Sequence, residues 1–370
     1  MLADLKRPRA ITMWDFSWLE RRWPGAGYED WDQALDELVE RGYDAVRIDC
    51  YPHFIGKDPN GRWLVSSDEQ TGDWGTPGDL WIEPGPGLIA FIGKCRDRGI
   101  VVGMSTWFKD DPTHARMDIA SAKQHADLWI ATLRFVEEAD PRLLNSILYV
   151  DLCNEFPHPK WAPFLYGRDR DVKAERLAGP RLTEWMAESI GGVRAAYPAL
   201  DYTMSFSDQF ADWDEMNLEP LDFLEPHIWM AHPALSDFAE KAGFSYSDPN
   251  RDFNRFVREA ESLYLSDRAT YHAVLTGWIE KAAEWSRRHG KPVITTECWA
   301  VINWRDWPMA DWEWIKNICA LGTRNAAATG RWSAIATSNF CGPQYRGMWR
   351  DISWHRALTD EIKAADLPGG

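Results

Sequence analysis

Residues 146–156 read SILYVDLCNEF, an apolar, β-branched run that ends in Asn154 and Glu155 and is followed by prolines at positions 157 and 159. Such a run predicts a buried strand that carries one carboxylate at its carboxyl end. The same pattern returns at residues 292–300, PVITTECWA, where the acidic residue is Glu297. Two strands that each present a glutamate at the same end of a sheet supply the two carboxyl groups that cleavage of a glycosidic bond requires.

The chain on either side of these runs alternates predicted strands and helices, with no repeat, low-complexity tract or compositional linker. Strands are predicted at residues 10–16, 44–50, 99–106, 146–155, 201–207, 221–229, 292–300 and 332–337. Helices are predicted at residues 28–42, 88–98, 118–139, 180–197, 271–289, 310–328 and 351–365, and long loops at residues 51–87 and 233–268. This order predicts an α/β fold, a single (β/α)8 TIM barrel with long loops on its C-terminal face, rather than a doubly wound sheet. Residues 1–370 are expected to form one catalytic domain.

The composition is that of a globular protein and argues against several classes of partner. Hydrophobic residues make up 45% of the chain, charged residues 26%, and the formal net charge is −16. Nucleic acids and anionic membranes bind clustered Lys and Arg, so neither is an expected partner of so acidic a chain. The first ten residues include no apolar segment, and no run of about 20 apolar residues follows. A cytoplasmic location is therefore predicted.

Cysteine and tryptophan are used in ways that bear on function. The six cysteines lie mostly in apolar runs and include no CxxC pair, so they are interpreted as buried thiols rather than a disulfide frame or zinc site. The 23 tryptophans are more than a core needs. Because the C–H faces of sugar rings stack on indoles, we expect about a quarter of them to line a cleft.

Two glutamates at facing strand ends can perform acid–base and nucleophilic work on an acetal. The carboxyl groups stand about 5–5.5 Å apart in enzymes that retain the anomeric configuration and about 6.5–9.5 Å apart in those that invert it. One carboxyl must keep its proton near neutral pH while the other stays ionised, so their surroundings must differ. Arg47, within the predicted second strand, is a cation that could hold Glu297 in its ionised form.

With these residues in place, the chain resembles the clan of retaining glycoside hydrolases built on (β/α)8 barrels, in particular the cellulase-like family 5 group. The resemblance lies in Arg47 within AVRID, Asn154 and Glu155 ending strand four, His227 on strand six, and Glu297 ending strand seven. It implies that Glu155 is the acid/base, that Glu297 is the nucleophile and that Asn154 binds the sugar 2-hydroxyl. It implies that Arg47 supports the nucleophile and that no cofactor is needed.

The carboxyl ends of three predicted strands depart from the familiar cellulase pattern. Strand three ends in residues 105–107, STW, instead of a histidine, and Trp229 stands where a tyrosine is usual. Strand eight ends in residues 338–340, SNF, with no tryptophan. The sugar, the linkage and the ring form are therefore not predicted. The residues expected to bind substrate are Arg47, Asn154, His227, Trp229, Trp107, Asp15, Asp49, Trp299 and Asn339.

The sequence thus predicts a metal-free retaining glycosidase for a β-linked glycoside or short oligosaccharide, with a homo-oligomer as a possible assembly. Two alternatives stay open. A divalent-metal-dependent sugar isomerase or epimerase would use Glu155, Asp208, His227 and Glu297 as ligands. A non-catalytic sugar-binding barrel would keep the fold and lose the reaction.

Overall fold

A computed structural model describes residues 1–67, 74–167, 174–207, 210–246, 248–308 and 310–367. In chain order the strands are β1 (Arg9–Asp15), β2 (Ala45–Asp49), β3 (Trp63–Val65), β4 (Leu80–Ile82), β5 (Val101–Ser105), β6 (Ile147–Asp151), β7 (Tyr202–Thr203), β8 (Ile228–Trp229), β9 (Val293–Thr295), β10 (Cys298–Trp299) and β11 (Trp332–Ala336). The α-helices are α1 (Ser17–Glu20), α2 (Trp31–Glu40), α3 (Pro52–Ile55), α4 (Pro84–Arg96), α5 (Ala122–Ala139), α6 (Pro180–Ala196), α7 (Phe238–Lys241), α8 (Pro249–Ser266), α9 (Arg268–His289), α10 (Glu313–Ala328), α11 (Arg346–Trp349) and α12 (Ile352–Ala364).

Seven strands form one parallel sheet in the order β7-β6-β5-β2-β1-β11-β9. Two isolated parallel bridges, Leu224 to Val293 and Phe206 to Pro226, join its two edges. Residues 224–226 thus take the sixth position of the barrel, and β8 continues from there to pair with β10. Proline cannot donate to a ladder, which explains why this position is bridged rather than fully paired. The predicted (β/α)8 barrel is confirmed.

The barrel interior is filled by side chains from neighbouring strands. All five residues of β2 and of β11 are buried, as expected for parallel strands that pack on helices outside and on each other inside. Tyr149 of β6 projects into the space beside Gly103 of β5. A Cβ at position 103 would lie 2.5 Å from Cζ of the Tyr149 ring. Glycine is therefore required there, since any larger residue would displace the phenol from the barrel.

The outer helices follow their apolar spacing. In α5 the buried residues include Ala126, Trp129, Leu133 and Val136, which recur every three or four positions along one face. Ser121 begins the helix, and its side chain accepts a hydrogen bond from the backbone N–H of Gln124. Capping and amphipathic spacing thus place this helix directly before β6, which leads to Glu155.

The predicted loop at residues 233–268 is wrong over half of its length, because α8 occupies Pro249–Ser266. The helix buries Phe253, Phe256, Ala260 and Tyr264, at helical spacing, and the Asp248 side chain caps its start. Charged residues surround these positions and conceal the pattern. The predicted loop at residues 51–87 contains α3 and the antiparallel pair β3–β4, while its residues 68–73 lie outside the described ranges.

Each of the six cysteines is buried and carries a free thiol, as interpreted from the sequence. Most tryptophans lie in the core, and Trp23, Trp81 and Trp307 are the largely exposed ones in the part of the chain described. Across the described ranges, no helix is both long enough and apolar enough to span a bilayer.

Candidate active site

Three titratable side chains meet at the carboxyl ends of the barrel strands. One carboxylate oxygen each of Glu155 and Glu297 and one ring nitrogen of His227 all lie within 4.8 Å of one another. Glu155 follows β6, Glu297 lies between β9 and β10, and His227 immediately precedes β8. The glutamates thus come from facing strands of the barrel, as the two sequence runs predict.

Glu155 sits on a turn rather than on a regular strand. Its φ is +48°, in the left-handed region that non-glycine residues seldom adopt, and its backbone N–H donates to Ser205 Oγ at 3.0 Å. Its Oε1 accepts from His227 Nδ1 at 3.1 Å, and its Oε2 accepts from Trp161 Nε1 at 3.0 Å. The turn and these two donors fix the carboxylate at the mouth, with 15% of its side chain exposed.

Arg47 of β2 is fully buried below the two glutamates and holds several strand ends together. Its Nη1 and Nη2 atoms lie within hydrogen-bonding distance of the side-chain oxygens of Thr296, Glu297, Ser105, Asp151, Asn154 and Ser205. The contacts to Asp151 Oδ2 at 2.6 Å and to Glu297 Oε1 at 3.0 Å are charge-assisted and span the barrel interior. Arg47 thus touches Glu297 directly and reaches Glu155 through its neighbour Asn154.

Glu225 and Trp161 are among the residues of this site that the sequence prediction leaves out. Glu225, fully buried on the bridging segment, lies 3.8 Å from Arg47 Nε and accepts from Thr296 Oγ1 at 2.6 Å. A charged residue two positions before His227 in the run LDFLEPHIW was the available signal. Trp161, the donor to Glu155, lies in the loop after β6, and nothing local in the sequence distinguishes it from the other tryptophans.

The pKa values of the cluster run opposite to the expected pattern. Burial lowers the pKa of His227. The nearby carboxylates of Glu297, Glu155 and Glu225 raise it by more than burial lowers it, to about 10. Burial, with Glu155 and Glu225 close by, raises the pKa of Glu297 to about 7 against the effects of His227 and Arg47. Burial also raises the pKa of Glu155, but the hydrogen bond and charge of His227 outweigh it and bring the value to about 2. The pKa of Glu297 is thus raised and that of Glu155 lowered, so the two carboxyl groups differ in their affinity for a proton.

Five expected substrate ligands carry buried polar atoms that lack a hydrogen-bond partner among the described residues. Two of these atoms, Arg47 Nε and His227 Nε2, lie 3.8 and 3.9 Å from Glu225 Oε1. The other three are Asn154 Nδ2, Trp229 Nε1 and Asn339 Oδ1. The Trp229 ring meets the His227 ring edge to face at 5.7 Å between centroids, which places it beside the cluster. Orphaned buried donors and acceptors are costly unless a ligand satisfies them. These atoms are suited to hydroxyl groups, which both donate and accept.

Three other expected ligands hold the site in shape. The Trp107 ring lies under Arg47, whose Cζ is 4.6 Å from the ring centroid. Asp49 accepts from the backbone N–H groups of Tyr51 at 2.8 Å and Trp107 at 3.1 Å, which ties the ends of β2 and β5 together. Asp15 is 1% exposed and accepts from the backbone N–H of Ser17 at the end of β1.

The structure does not bring Trp299 into the mouth. Its Nε1 donates to the Ala336 carbonyl at 2.9 Å, and its ring packs against Trp332 and against Gly322 of α10. A Cβ at position 322 would lie 2.6 Å from the indole. The expectation that Trp299 contacts substrate is corrected, since its side chain faces the helix layer.

The geometry of this mouth agrees with the result of a family comparison. A family model described as "Cellulase-like: Sugar-binding cellulase-like" matches residues 11–363. The chain belongs to this cellulase-like family. The resemblance derived from Arg47, Asn154, Glu155, His227 and Glu297 is confirmed at the level of the family.

Solved structures extend the comparison for this cellulase-like chain. A protein of Parabacteroides distasonis, provisionally named a glycoside hydrolase, is 43% identical, with 98% of this chain and 95% of that one covered and a TM-score of 0.94. The endo-β-1,4-mannanase of Thermotoga petrophila is 13% identical, with 98% and 78% covered and a TM-score of 0.54. The GH5_18 protein of Streptomyces cattleya, in complex with GlcNAc, is 14% identical, with 97% and 80% covered and a TM-score of 0.52. The last two share the fold alone. No curated protein sequence gives a significant match.

Glu155, His227 and Glu297 of the cellulase-like chain lie close enough together to share one ion, but the contacts around them disfavour a divalent metal. Of the four ligands that a metal-dependent isomerase would need, Asp208 lies outside the described residues. Glu297 Oε1 already accepts from Arg47, and Glu155 Oε1 already accepts from His227 Nδ1. A cation bound there would also lie beside the guanidinium of Arg47 and would have to displace the proton on His227. The donor set is therefore occupied by hydrogen bonds and positive charge rather than open to a metal.

Replacing Arg47 by methionine should destabilise the cellulase-like chain by about 3–5 kcal/mol, because Asp151, Glu225 and Glu297 would be buried without their cation. Their pKa values in the folded variant would then rise above those of the unfolded chain. A raised carboxyl pKa costs stability as pH rises through it, so the deficit should be larger at about pH 8 than at about pH 5. Urea unfolding at both pH values measures it, and an equal deficit at the two would contradict the ionic explanation.

Proposed function

We propose that this chain is a retaining glycoside hydrolase acting on a β-linked glycoside or short oligosaccharide, with residues 1–370 as one catalytic domain. One observation carries the proposal: oxygens of Glu155 and Glu297, from facing strands, lie within 4.8 Å of each other at a mouth with unsatisfied polar atoms. Carboxyl oxygens this close are in keeping with the spacing of about 5–5.5 Å in retaining enzymes rather than the about 6.5–9.5 Å of inverting ones.

In the first step, Glu297 attacks the anomeric carbon and Glu155 gives a proton to the leaving oxygen, so that a covalent glycosyl-enzyme forms. In the second step, Glu155 removes a proton from water, which attacks the anomeric carbon and releases Glu297. Two inversions give net retention. Arg47, 3.0 Å from Glu297 Oε1, stabilises the carboxylate as it attacks and again as it leaves.

Glu155 must hold a proton when a glycoside is bound, whereas in the free protein the raised pKa is that of Glu297. His227 supports this exchange, because its Nδ1 lies 3.1 Å from Glu155 Oε1 and only 3.8 Å from Glu297 Oε1. A movement of the ring by less than about 1 Å would transfer the donated hydrogen bond to Glu297 and favour its charged form. The proton then moves to Glu155, where it is needed.

The sugar is held by hydroxyl recognition at the mouth. Asn154 Nδ2 can donate to the hydroxyl beside the anomeric carbon, and its own Oδ1 is fixed by Arg47 Nη2 at 2.7 Å. Trp229 Nε1 offers a donor after the sixth position of the barrel, and Asn339 Oδ1 offers an acceptor after β11. The residues at these strand ends differ from the cellulase pattern. They, rather than the catalytic pair, therefore determine which substrate is bound.

A panel of aryl β-pyranosides and β-furanosides, with products followed by NMR from the first turnover, tests the proposal. We expect at least one member to be hydrolysed with the anomeric configuration retained in the first product. First product of inverted configuration would contradict the double displacement. Sugar binding without hydrolysis of any member would favour the non-catalytic sugar-binding barrel, which the words "sugar-binding" in the family description support. Activity lost to a chelator and restored by manganese or magnesium would favour the isomerase class.

A further inference from the structure

A buried glutamate beneath the catalytic pair has no part in the steps described above. Glu225 is fully buried on the segment that closes the barrel, where its backbone carbonyl accepts from the Phe206 N–H at 3.2 Å. Its Oε1 accepts from Thr296 Oγ1, whereas its Oε2 has no hydrogen-bond partner among the residues described. Burying a carboxylate is expensive unless nearby cations compensate for the lost solvation. The question is therefore which cations it serves.

Two cations flank Glu225, and the opposite end of each side chain contacts a catalytic carboxylate. Arg47 Nε lies 3.8 Å from Glu225 Oε1, while Nη1 of the same guanidinium is 3.0 Å from Glu297 Oε1. His227 Nε2 lies 3.9 Å from Glu225 Oε1, while Nδ1 of the same ring is 3.1 Å from Glu155 Oε1. Glu225 thus stands below both cations, and the two catalytic glutamates stand above them.

We propose that Glu225 is a positioning residue that anchors Arg47 and His227 from below and keeps both ring nitrogens of His227 protonated. Under this proposal, which rests on the proposed function, His227 is a permanent hydrogen-bond donor to the catalytic glutamates. The ring turns its donor from one glutamate to the other and takes no proton from either. A histidine with a neutral Nε2 could instead act as a proton shuttle, which is the common role of this side chain.

The charges around His227 support a ring that stays cationic. Carboxylates face it from three segments, Glu155 after β6, Glu225 on the bridging segment and Glu297 between β9 and β10, while Arg47 approaches from β2. Together the three anions outweigh burial and raise the pKa of His227 well above its usual range. Trp229, which packs edge to face on the ring, brings no charge.

Glu225 itself is ionised in this setting. Burial raises the pKa of Glu225. Arg47, His227 and the Thr296 hydroxyl lower it by more than burial raises it, so the net shift is downward. Tyr149 of β6 faces it as a neutral phenol, since burial and the charge of Glu225 both raise the tyrosine pKa. Glu225 is thus a fixed negative charge at neutral pH, and replacing it by glutamine removes the charge with little change of shape.

The test is an NMR titration of the His227 ring, assigned by comparison with His227→Gln, in the full chain and in Glu225→Gln. In the unsubstituted protein both ring nitrogens should still be protonated at about pH 8. In Glu225→Gln the pKa of His227 should fall by about 1 unit or more, as expected for the loss of one of three nearby anions. The alkaline limb of kcat on a hydrolysed glycoside should move to lower pH with it, while KM changes little.

Asp151→Asn is the matched control. Asp151 is an equally buried partner of Arg47, at 2.6 Å, but it does not belong to the carboxylates that face His227. The control should leave the His227 titration within about 0.3 units of the unsubstituted chain. Equal shifts in the two variants would show that Glu225 acts only as a counter-ion of Arg47 and would overturn the proposal.

Two outcomes are decisive, and the first of them does not require Glu225→Gln to fold. A neutral Nε2 at about pH 8 in the unsubstituted chain would overturn the proposal without any variant. A Glu225→Gln chain that folds, with its melting temperature recorded, and titrates like the original would do the same. Neither measurement needs turnover, so failure of this proposal is distinguishable from failure of the glycosidase function.

Discussion

Replacing Glu297 by glutamine should lower kcat on any hydrolysed aryl glycoside by at least about 1,000-fold, the scale seen when a catalytic nucleophile is removed. The amide keeps the shape of the carboxylate. Its oxygen can still accept a hydrogen bond from Arg47 Nη1, which lies 3.0 Å from Glu297 Oε1 in the unsubstituted protein. The anionic oxygen that forms the covalent intermediate is lost. Turnover and calorimetric binding of a reaction product, measured side by side, should show lost chemistry with binding retained within a few-fold.

Rescue of a Glu297 variant with azide tests whether Glu297 is the nucleophile. In Glu297→Ala the small anion can enter the vacated space and attack the anomeric carbon in one displacement, which gives an azide product of inverted configuration. Glu188→Gln, on the exposed face of α6, is the matched control and should turn over normally. Glu297→Gln that retains substantial turnover would show that the nucleophile has been assigned to the wrong residue.

Replacing Glu155 by alanine should have an effect that depends on the leaving group. For a glycoside with a poor leaving group, kcat/KM should fall by about 100- to 10,000-fold, because the leaving oxygen departs without a proton. For a dinitrophenyl glycoside the loss in kcat/KM should be small, since that phenolate needs no acid. A plot of log(kcat/KM) against leaving-group pKa should therefore be steeper for the variant than for the parent.

Trp161→Phe is the control for this second variant. It removes the 3.0 Å hydrogen bond to Glu155 Oε2 and keeps the carboxyl group, so the leaving-group dependence should stay close to that of the parent. Azide added to Glu155→Ala should give a product of retained configuration, because the anion attacks the glycosyl-enzyme rather than the substrate. A uniform loss of activity across all leaving groups would exclude Glu155 as the acid.

The parts of the site that the sequence predicts are those fixed by the ends of parallel strands. Glu155 and Glu297 could be placed together because both end long apolar runs, and parallel strands deliver their carboxyl ends to one edge. Arg47 could be added because its strand, β2, belongs to the same parallel sheet. Periodicity and strand direction decide these positions, and neither depends on contacts distant in the chain.

The parts that the sequence does not predict depend on where regular structure is interrupted. Trp299 lies two residues after Glu297, but the run breaks into β9 and β10 around residues 296–297, so strand alternation does not place the two side chains on one face. Glu225 gains its importance only when the bridging segment closes the barrel over Arg47. The order of the two glutamate pKa values likewise follows from the placement of His227, a geometric fact that no local pattern contains.

The network around Arg47 divides this mouth into two regions that evolution or design would treat differently. Below, charges on Arg47, Asp151, Glu225 and His227 compensate one another, so a single change there unbalances several partners at once. Above, Trp229 and Asn339 are uncharged and end in unsatisfied atoms. Under the proposed function, their replacement should alter which hydroxyl groups are recognised without disturbing the charge balance below. New substrate preferences can therefore arise when one uncharged residue replaces another at Trp229 or Asn339, while the reaction chemistry stays the same.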